Sequence, residues 1–328
     1  MRYALTGATG FVGGRLAELL VQAGHTVTAL VRDTSRARAL ADQGVRLVPG
    51  DLADEASLRA AADGADGLFH VAGWYQLGAR EYTPARRINV DGTRAVLAAV
   101  RETAVPRLVY TSTLAVNSDT RGQTVDESYR FTAGRHLTVY DATKAAAHEL
   151  VGAASAAGVA AVTVMPGVVY GPGDTSQSGT LLRRALRRHR VFVSSGGRFC
   201  WGFVDDIATG HVLAMERGVA GEAYMLAGPQ YSLAEVLEAA ARIAGGPPPV
   251  IIPALTVRMI EPVARLAERF VRLPGTYSAE ALRASLATYL GNPTKAKRDL
   301  GWSARSLEDG MAETLRGERA CSGQATVD

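Results

Sequence analysis

The stretch Thr6-Gly7-Ala8-Thr9-Gly10-Phe11-Val12-Gly13 constrains this chain more than any other. The apolar run Tyr3-Ala4-Leu5 before it reads as a short buried strand. Phe11, Val12, Leu16, Leu19 and Leu20 after it fall at helical spacing. A strand therefore becomes a helix across three glycines. Gly7 allows the tight turn, and Gly10 lets backbone approach a diphosphate with no Cβ in the way. Gly13 lets the helix pack closely on the strand. The free N–H groups of the first helical turn and the helix dipole then favour phosphate charge. Glycine-rich turns are common, and the strand-to-helix setting is what points to dinucleotide binding by Gly7, Thr9, Gly10, Phe11, Val12 and Gly13.

Strand-like segments recur at 25–31, 45–48, 67–71, 107–112 and 159–165, with helical stretches between them, including 83–103 and 138–157. This alternation predicts an α/β fold, a doubly wound parallel sheet with helices on both faces. Right-handed crossovers place the loops after successive strands along one edge, where ligands bind. After Pro166 the pattern loosens at Gly171-Pro172-Gly173. Residues 181–190 read as a basic helix, whose arginines fit a solvated face better than an anionic-substrate site. A helix at 205–217 and a strand at 223–227 are expected to rejoin the sheet. Beyond the breaker Gly245-Gly246-Pro247-Pro248-Pro249, residues 255–270 are amphipathic. Burial against the other domain is favoured there over contact with a membrane surface.

The resulting division is 1–168, with 203–228 rejoining it, for the dinucleotide-binding domain. A smaller, mostly helical C-terminal substrate domain takes 169–202 and 229–319, and 320–328 forms a disordered tail.

Composition excludes several classes. The 328 residues are 47 % hydrophobic and 21 % charged, ordinary for a globular chain with a real core. A net charge of +4 fits an anionic cofactor without demanding nucleic acid. Two cysteines, Cys200 and Cys321, supply neither a disulfide framework nor metal-ligand spacing. No stretch is long and uncharged enough to span a bilayer. The nucleotide turn begins at Thr6, which leaves no room for a targeting segment, so a cytoplasmic setting without membrane partners is expected.

Chemistry enters at three places. The second strand ends in Leu30-Val31-Arg32-Asp33. An acidic residue at such a strand end takes ribose hydroxyls, whereas an arginine accommodates a 2′-phosphate. Arg32 at the tip, with Arg36 and Arg38 behind it, favours NADP over NAD, although Asp33 keeps NAD open. The alternative is a surface arginine with no partner. The second place is Tyr140-Asp141-Ala142-Thr143-Lys144, which sets tyrosine and lysine on one helix face at i and i+4. An ammonium nearby lowers a phenol's pKa, and such a tyrosine can give a proton to a carbonyl or take one from an alcohol. The third is Tyr110-Thr111-Ser112-Thr113, where a hydroxyl would sit beside that tyrosine; either Ser112 or Thr113 could instead cap a turn.

Together these pieces resemble the extended short-chain dehydrogenase/reductase superfamily (the NAD-dependent epimerase/dehydratase family), with a Rossmann-type sheet. The resemblance includes Asp51-Leu52, His70-Val71-Ala72-Gly73, Ile88-Asn89-Val90-Asp91-Gly92-Thr93, Pro166-Gly167-Val168-Val169-Tyr170-Gly171-Pro172-Gly173 and Phe203-Val204-Asp205-Asp206-Ile207-Ala208. It implies that Thr113, Tyr140 and Lys144 form the catalytic triad and that Asn89 helps fix the helix and a water beside it. It implies that Asp51 and Leu52 contact adenine. Val71, Ala72, Gly73, Thr111, Pro166, Gly167 and Val169 would line the cofactor, with Tyr140 and Lys144 also touching it.

Val31-Arg32-Asp33, the Gly210-His211 helix and Lys295-Ala296-Lys297-Arg298-Asp299-Leu300-Gly301-Trp302 look like the dihydroflavonol-reductase-like branch, which reduces carbonyls with NADPH. Sugar dehydratases of the superfamily carry acidic residues after the catalytic hydroxyl, where this chain has Leu114 and Ala115. Sugar-nucleotide epimerases place a diphosphate-binding arginine where this chain has Phe199-Cys200-Trp201, with Arg198 one residue off register. That aromatic pair fits an apolar substrate pocket or core packing. The leading expectation is an NADPH-dependent reductase of a ketone or aldehyde on a fairly apolar small molecule, acting on a carbonyl/alcohol substrate. The rivals are a sugar-nucleotide 4-epimerase with tightly held NAD and a non-catalytic NADP-binding regulator. A homodimer through the helices at 83–103 and 138–157 is also expected.

Overall fold

The structure is a computed structural model and describes residues 1–76, 82–132, 134–271, 273 and 278–321. Along the first half, strands and helices alternate: β1 (Arg2–Thr6), α1 (Phe11–Gln22), β2 (Thr26–Val31), α2 (Arg38–Asp42), β3 (Arg46–Pro49), α3 (Glu55–Ala62), β4 (Gly67–His70), α4 (Tyr82–Arg86), α5 (Gly92–Glu102), β5 (Leu108–Thr111), α6 (Val139–Ala156) and β6 (Ala161–Pro166). The second half begins with β7 (Val168–Tyr170), α7 (Gln177–Leu186), β8 (Phe192–Ser194), β9 (Arg198–Phe203), α8 (Val204–Arg217) and β10 (Ala223–Leu226). It ends with β11 (Gln230–Tyr231), α9 (Leu233–Ala244), β12 (Val250–Ile252), α10 (Ala254–Ala267), α11 (Ala279–Ala284), β13 (Thr288–Tyr289) and α12 (Leu307–Cys321).

Seven strands form one parallel sheet in the order β10-β6-β5-β4-β1-β2-β3. Helices cover both faces, so these strands read as nearly continuous apolar runs rather than alternating ones. Successive residues still point to opposite faces. Leu5, Phe69 and Val109 meet α1 and α8 on one face, with Leu16, Leu20 and Ile207. Ala4, Leu68 and Tyr110 meet α3, α5 and α6 on the other, with Leu58, Val100 and Val151. The strand order reverses between β1 and β4, which opens a crevice at the carboxyl ends of those strands.

The chain returns to this first core late. β10 pairs with β6, and Ala296, Leu300 and Trp302 pack with Leu5 and Leu16. Arg15 on α1 grips Asp205 on α8 with two bonds of 2.6 and 2.8 Å. Over the carboxyl ends lies a smaller layer. β9 is its centre, flanked by β7, β11 and β13, with Tyr170, Trp201 and Phe203 buried against α7, α9 and α12.

Several expectations change. The helix expected over 83–103 is interrupted by one turn of π-helix at Arg87–Asp91. The basic helix expected over 181–190 ends at Leu186, because Arg188 takes the left-handed conformation, φ +63°. The short strands β7–β9 and β11–β13 were not foreseen; two or three residues are too few to show a period of two. Most importantly, the apolar face of 255–270 does not pack on the other domain. α10 buries Val257, Glu261 and Ala264, while Val263 and Leu266 stay 65 % and 56 % exposed. Ala320 and Cys321 end α12, and the rest of the expected disordered tail, 322–328, lies outside the described residues. Among the described residues no helix is long and apolar enough to cross a membrane.

The α1–β1 contact is the tightest backbone approach near the crevice. A Cβ on Gly13 would overlap the Gly7 carbonyl oxygen. Gly13→Ala should therefore push α1 off β1 and cost about 1–3 kcal/mol. Thermal unfolding measures this, and an unchanged midpoint would count against such close packing.

Candidate active site

The site is built from the carboxyl ends of β1, β2, β4, β5 and β6 and from the inner face of α6. Gly7, at φ +81°, turns the chain out of β1, and a Cβ there would lie 2.5 Å from the Ala72 nitrogen. The turn and the loop after β4 thus touch through backbone alone. Gly10 is the N-cap of α1 and supplies no side-chain cap. The N–H groups of Phe11, Val12 and Gly13, in the first turn after that cap, have no intrahelical partners. That glycine-lined cradle suits the diphosphate of a dinucleotide.

At the tip of β2, Arg32 is exposed and has no ion-pair partner among the described residues. Asp33 is turned onto its own loop, where its Oδ1 accepts from the Ser35 nitrogen at 2.9 Å and the Ser35 hydroxyl at 2.6 Å. These bonds hold its carboxyl below the usual range. Arg36 pairs with it loosely, at 3.7 Å. Asp51 is exposed and accepts from the Ala53 nitrogen, and Leu52 packs against Gly92 at the start of α5. The Val71 nitrogen donates to the Thr6 carbonyl, and Gly73 lies exposed beside Asn89. Pro166 ends β6; Gly167 and Val169 follow it alongside β9. Phe11 also packs into the core of the smaller layer.

A buried polar chain ties these segments together. Thr6 Oγ1 donates to His70 Nδ1 at 2.7 Å, and His70 Nε2 donates to Thr93 Oγ1 at 3.0 Å. The tautomer follows from Thr93, whose own proton goes to the Asn89 carbonyl at 2.6 Å. Burial, then the Lys144 charge, lowers His70 to about 3, so its ring stays neutral. Asn89 sits on the π turn, where such turns often serve functional sites. Its Oδ1 accepts from the Trp74 nitrogen at 2.7 Å, and its Nδ2 donates to the Trp74 carbonyl and to Thr143. It therefore clamps the loop after β4 to α6.

Lys144 and Tyr140 share the inner face of α6, but the lysine engages other partners. Its Nζ donates to the Thr111 carbonyl at 2.6 Å and to the Tyr110 hydroxyl at 3.0 Å. Burial lowers Lys144 to about 7. Burial also raises Tyr140 well above 10, against a smaller lowering by its hydrogen bond with Thr113. The depressed phenol expected from a nearby ammonium is thus absent: the ammonium faces Tyr110 and Thr111, and desolvation dominates.

The three hydroxyl residues after Tyr110 diverge. Thr111 Oγ1 donates to His211 Nε2 at 2.8 Å, because His211 Nδ1 donates to the Ile207 carbonyl. Only the Thr111 carbonyl therefore serves the site. Ser112 Oγ bonds His148 Nδ1 at 2.8 Å, away from Tyr140. Thr113 accepts from the Ala115 nitrogen and bonds Tyr140, so it is both a turn cap and a neighbour of the phenol.

Tyr110, Tyr75, Asp141 and Tyr289 were not singled out beforehand. The Tyr75 ring stands edge-on to Tyr140, with centroids 4.9 Å apart. Asp141, raised to about 6 by burial, accepts from the Thr138 hydroxyl at 2.7 Å and the Tyr289 hydroxyl at 2.9 Å. Phe199 stacks on Tyr289, whereas Trp201 is a core residue bonded to the Tyr231 carbonyl. Asp141 was visible inside its motif, but nothing local marks Tyr289, which lies 148 residues away.

Residues 3–227 match the NAD dependent epimerase/dehydratase family. A 4-hydroxy-2-methyl-3-oxo-4-farnesyl-3,4-dihydroquinoline-1-oxide ketoreductase of Stigmatella aurantiaca is 35 % identical, over 96 % of each chain. A 2-alkyl-3-oxoalkanoate reductase of Stenotrophomonas maltophilia is 31 % identical, over 95 % of this chain and 97 % of the other. The solved UDP-glucose 4-epimerase of Thermotoga maritima superposes with a TM-score of 0.80 at 19 % identity, covering 98 % of this chain and all (100 %) of that one, and shows the shared fold. The turn, the sheet order and the matched span agree: this chain belongs to the NAD dependent epimerase/dehydratase family, the extended short-chain dehydrogenases/reductases, and is built for a nicotinamide cofactor.

Proposed function

We propose that this chain is an NADPH-dependent reductase of a ketone or aldehyde on an apolar small molecule. The observation that carries the reading is Tyr140: a phenol kept protonated by burial, bonded to Thr113, on the helix that also presents Lys144. The cradle at Gly10 would hold the diphosphate, and Arg32 with Arg36 a 2′-phosphate. When bound, the nicotinamide supplies hydride to the carbonyl carbon. Tyr140 Oη gives its proton to the carbonyl oxygen, and Thr113, fixed by the Ala115 N–H, orients and polarises that oxygen. Lys144, its Nζ fixed by the Thr111 carbonyl and the Tyr110 hydroxyl, would hold the nicotinamide ribose. Asn89 keeps α6 in register with the loop after β4.

An apolar substrate fits the aromatic surroundings, where Tyr75 meets Tyr140 and Phe199 covers Tyr289. It also fits the names of the two reductase relatives, which specify farnesyl and alkyl substituents. A sugar-nucleotide epimerase would need a cation for the substrate diphosphate. Arg198, the residue nearest the expected place, donates to the Gln230 carbonyl at 2.9 Å and pairs with Glu235 at 3.3 Å.

A panel of apolar ketones and aldehydes tests the reading: net NADPH consumption is expected, and retained NAD with no net consumption would favour the epimerase. Tyr140→Phe should abolish turnover while NADPH still binds. Thr113→Val should lose on the order of 10²–10³ in rate, while Thr113→Ser keeps much of it. Ser112→Ala should be the milder change, since Ser112 faces His148. A fully active Tyr140→Phe enzyme would overturn the mechanism.

Cofactor choice is tested separately by titrating both cofactors. Arg32→Ala should erase most of the preference for NADPH over NADH, a loss of about 1.5–3 kcal/mol, roughly tenfold to a hundredfold. Equal affinities in the unmutated protein would remove Arg32 from the site.

Lys144 makes a pH prediction. Its value falls from 10.5 to about 7 on folding. Between those two values the unfolded chain binds more protons than the folded chain, so stability rises with pH across that window. Denaturant titrations from about pH 7 to about pH 9.5 should show the unmutated protein gaining on Lys144→Met. Parallel curves would mean that Lys144 titrates like an exposed lysine.

A further inference from the structure

α10 presents an apolar stripe to solvent, directly opposite the face it buries. Val257, Glu261 and Ala264 face inward, and Glu261 is held there by Arg265 and Arg283, each at 2.6 Å. Leu255, Met259, Val263 and Leu266 face outward and are 69 %, 69 %, 65 % and 56 % exposed. Steps of four, four and three residues put them on one line along the helix. Phe270, 81 % exposed, continues that line past the helix end. An apolar surface of this extent marks contact with a protein or a membrane.

The charges bordering the stripe select between these. Between 254 and 271 every exposed charged residue is an arginine: Arg258, Arg265 and Arg269. All three lie along one edge of the stripe at helical spacing. Arg258 and Arg269 have no ion-pair partner among the described residues. The two acidic residues of the segment are turned inward, Glu261 onto its arginines and Glu268 onto the Ala279 nitrogen. A second copy docked antiparallel through the same face would bring arginines to meet arginines. An anionic lipid surface meets both features, with acyl chains for the stripe and phosphates for the edge.

We propose that α10 lies flat on the surface of a bilayer containing anionic phospholipid, with Leu255, Met259, Val263, Leu266 and Phe270 sunk below the headgroups and Arg258 and Arg269 at phosphate level. At 1.5 Å per residue its 14 residues reach about 21 Å, which suits a helix lying in the interface rather than crossing it. The site of chemistry is not needed for this contact, so the proposal stands or falls apart from the reductase reading.

The test is flotation of the full chain with vesicles, either phosphatidylcholine alone or with about one third phosphatidylglycerol. Binding to the anionic vesicles should exceed binding to the neutral ones at least tenfold and weaken in about 0.5 M salt. Leu255→Ser/Met259→Ser/Val263→Ser should stay in solution with an unchanged melting midpoint, because these side chains contribute nothing to the core. Arg258→Glu/Arg269→Glu should lower anionic-vesicle binding to the neutral level. Absence of binding to both vesicle types overturns the proposal. So does equal binding that ignores the arginine changes. A salt-independent dimer that the serine variant dissociates, without vesicle binding, would assign the face to a second copy.

Discussion

At Gly7 the backbones of β1, α1 and the loop after β4 are packed with no room for one side-chain carbon between them. The Ala72 nitrogen stands 2.5 Å from where a Gly7 Cβ would be, and the Gly7 carbonyl occupies the place of a Gly13 Cβ. Two features of the crevice are positioned from this junction. It aims the open first turn of α1 along the strand ends, and it brings Thr6 within reach of His70 and the Ala72 nitrogen. The glycines are therefore needed for closeness first, and the anion cradle follows from that closeness.

From Thr6 the order propagates through side chains rather than backbone. Thr6, His70, Thr93, Asn89 and Thr143 bond in sequence and connect β1, β4, α5, the π turn and α6. Each member is buried or nearly so, and a missing partner would leave a polar group unpaired in low dielectric. A histidine at the centre is workable because burial keeps it neutral, so it can accept from one threonine and donate to the other. The π turn supplies the extra residue that turns Asn89 inward while α4 and α5 continue around it. The result is a rigid support for α6, on which Tyr140 and Lys144 ride.

The parallel sheet and the cofactor turn were legible because both are local. The strand-to-helix glycines stand within eight residues of sequence, and the alternation of segments is a pattern in register with the chain. Tyr140 and Lys144 were legible for the same reason, being one turn apart. What Lys144 actually touches was not, since Tyr110 and Thr111 approach it from 34 and 33 residues away. The Tyr289–Asp141 bond spans still more chain. Periodicity also states that a face is apolar without stating what meets it. The stripe at Val263 and Leu266 reads identically whether it is covered or open, and only the packing of Val257, Glu261 and Ala264 shows which face turned inward. Arg188 ended a helix early through a backbone conformation that arginine's propensity does not announce.

The late return of the chain to its first core has a consequence for biosynthesis. Leu5 and Leu16 share a cluster with Ile207, Leu226, Leu300 and Trp302, so the apolar core beneath the nucleotide turn draws on segments far apart in the chain. While a ribosome is still making the middle of the chain, α1 has no α8 to lie against, and Arg15 has no Asp205. The turn is thus held in its final shape only after segments made much later have joined it. Until Trp302 has emerged, that nascent surface lacks its cover and stays open to water and to chaperones.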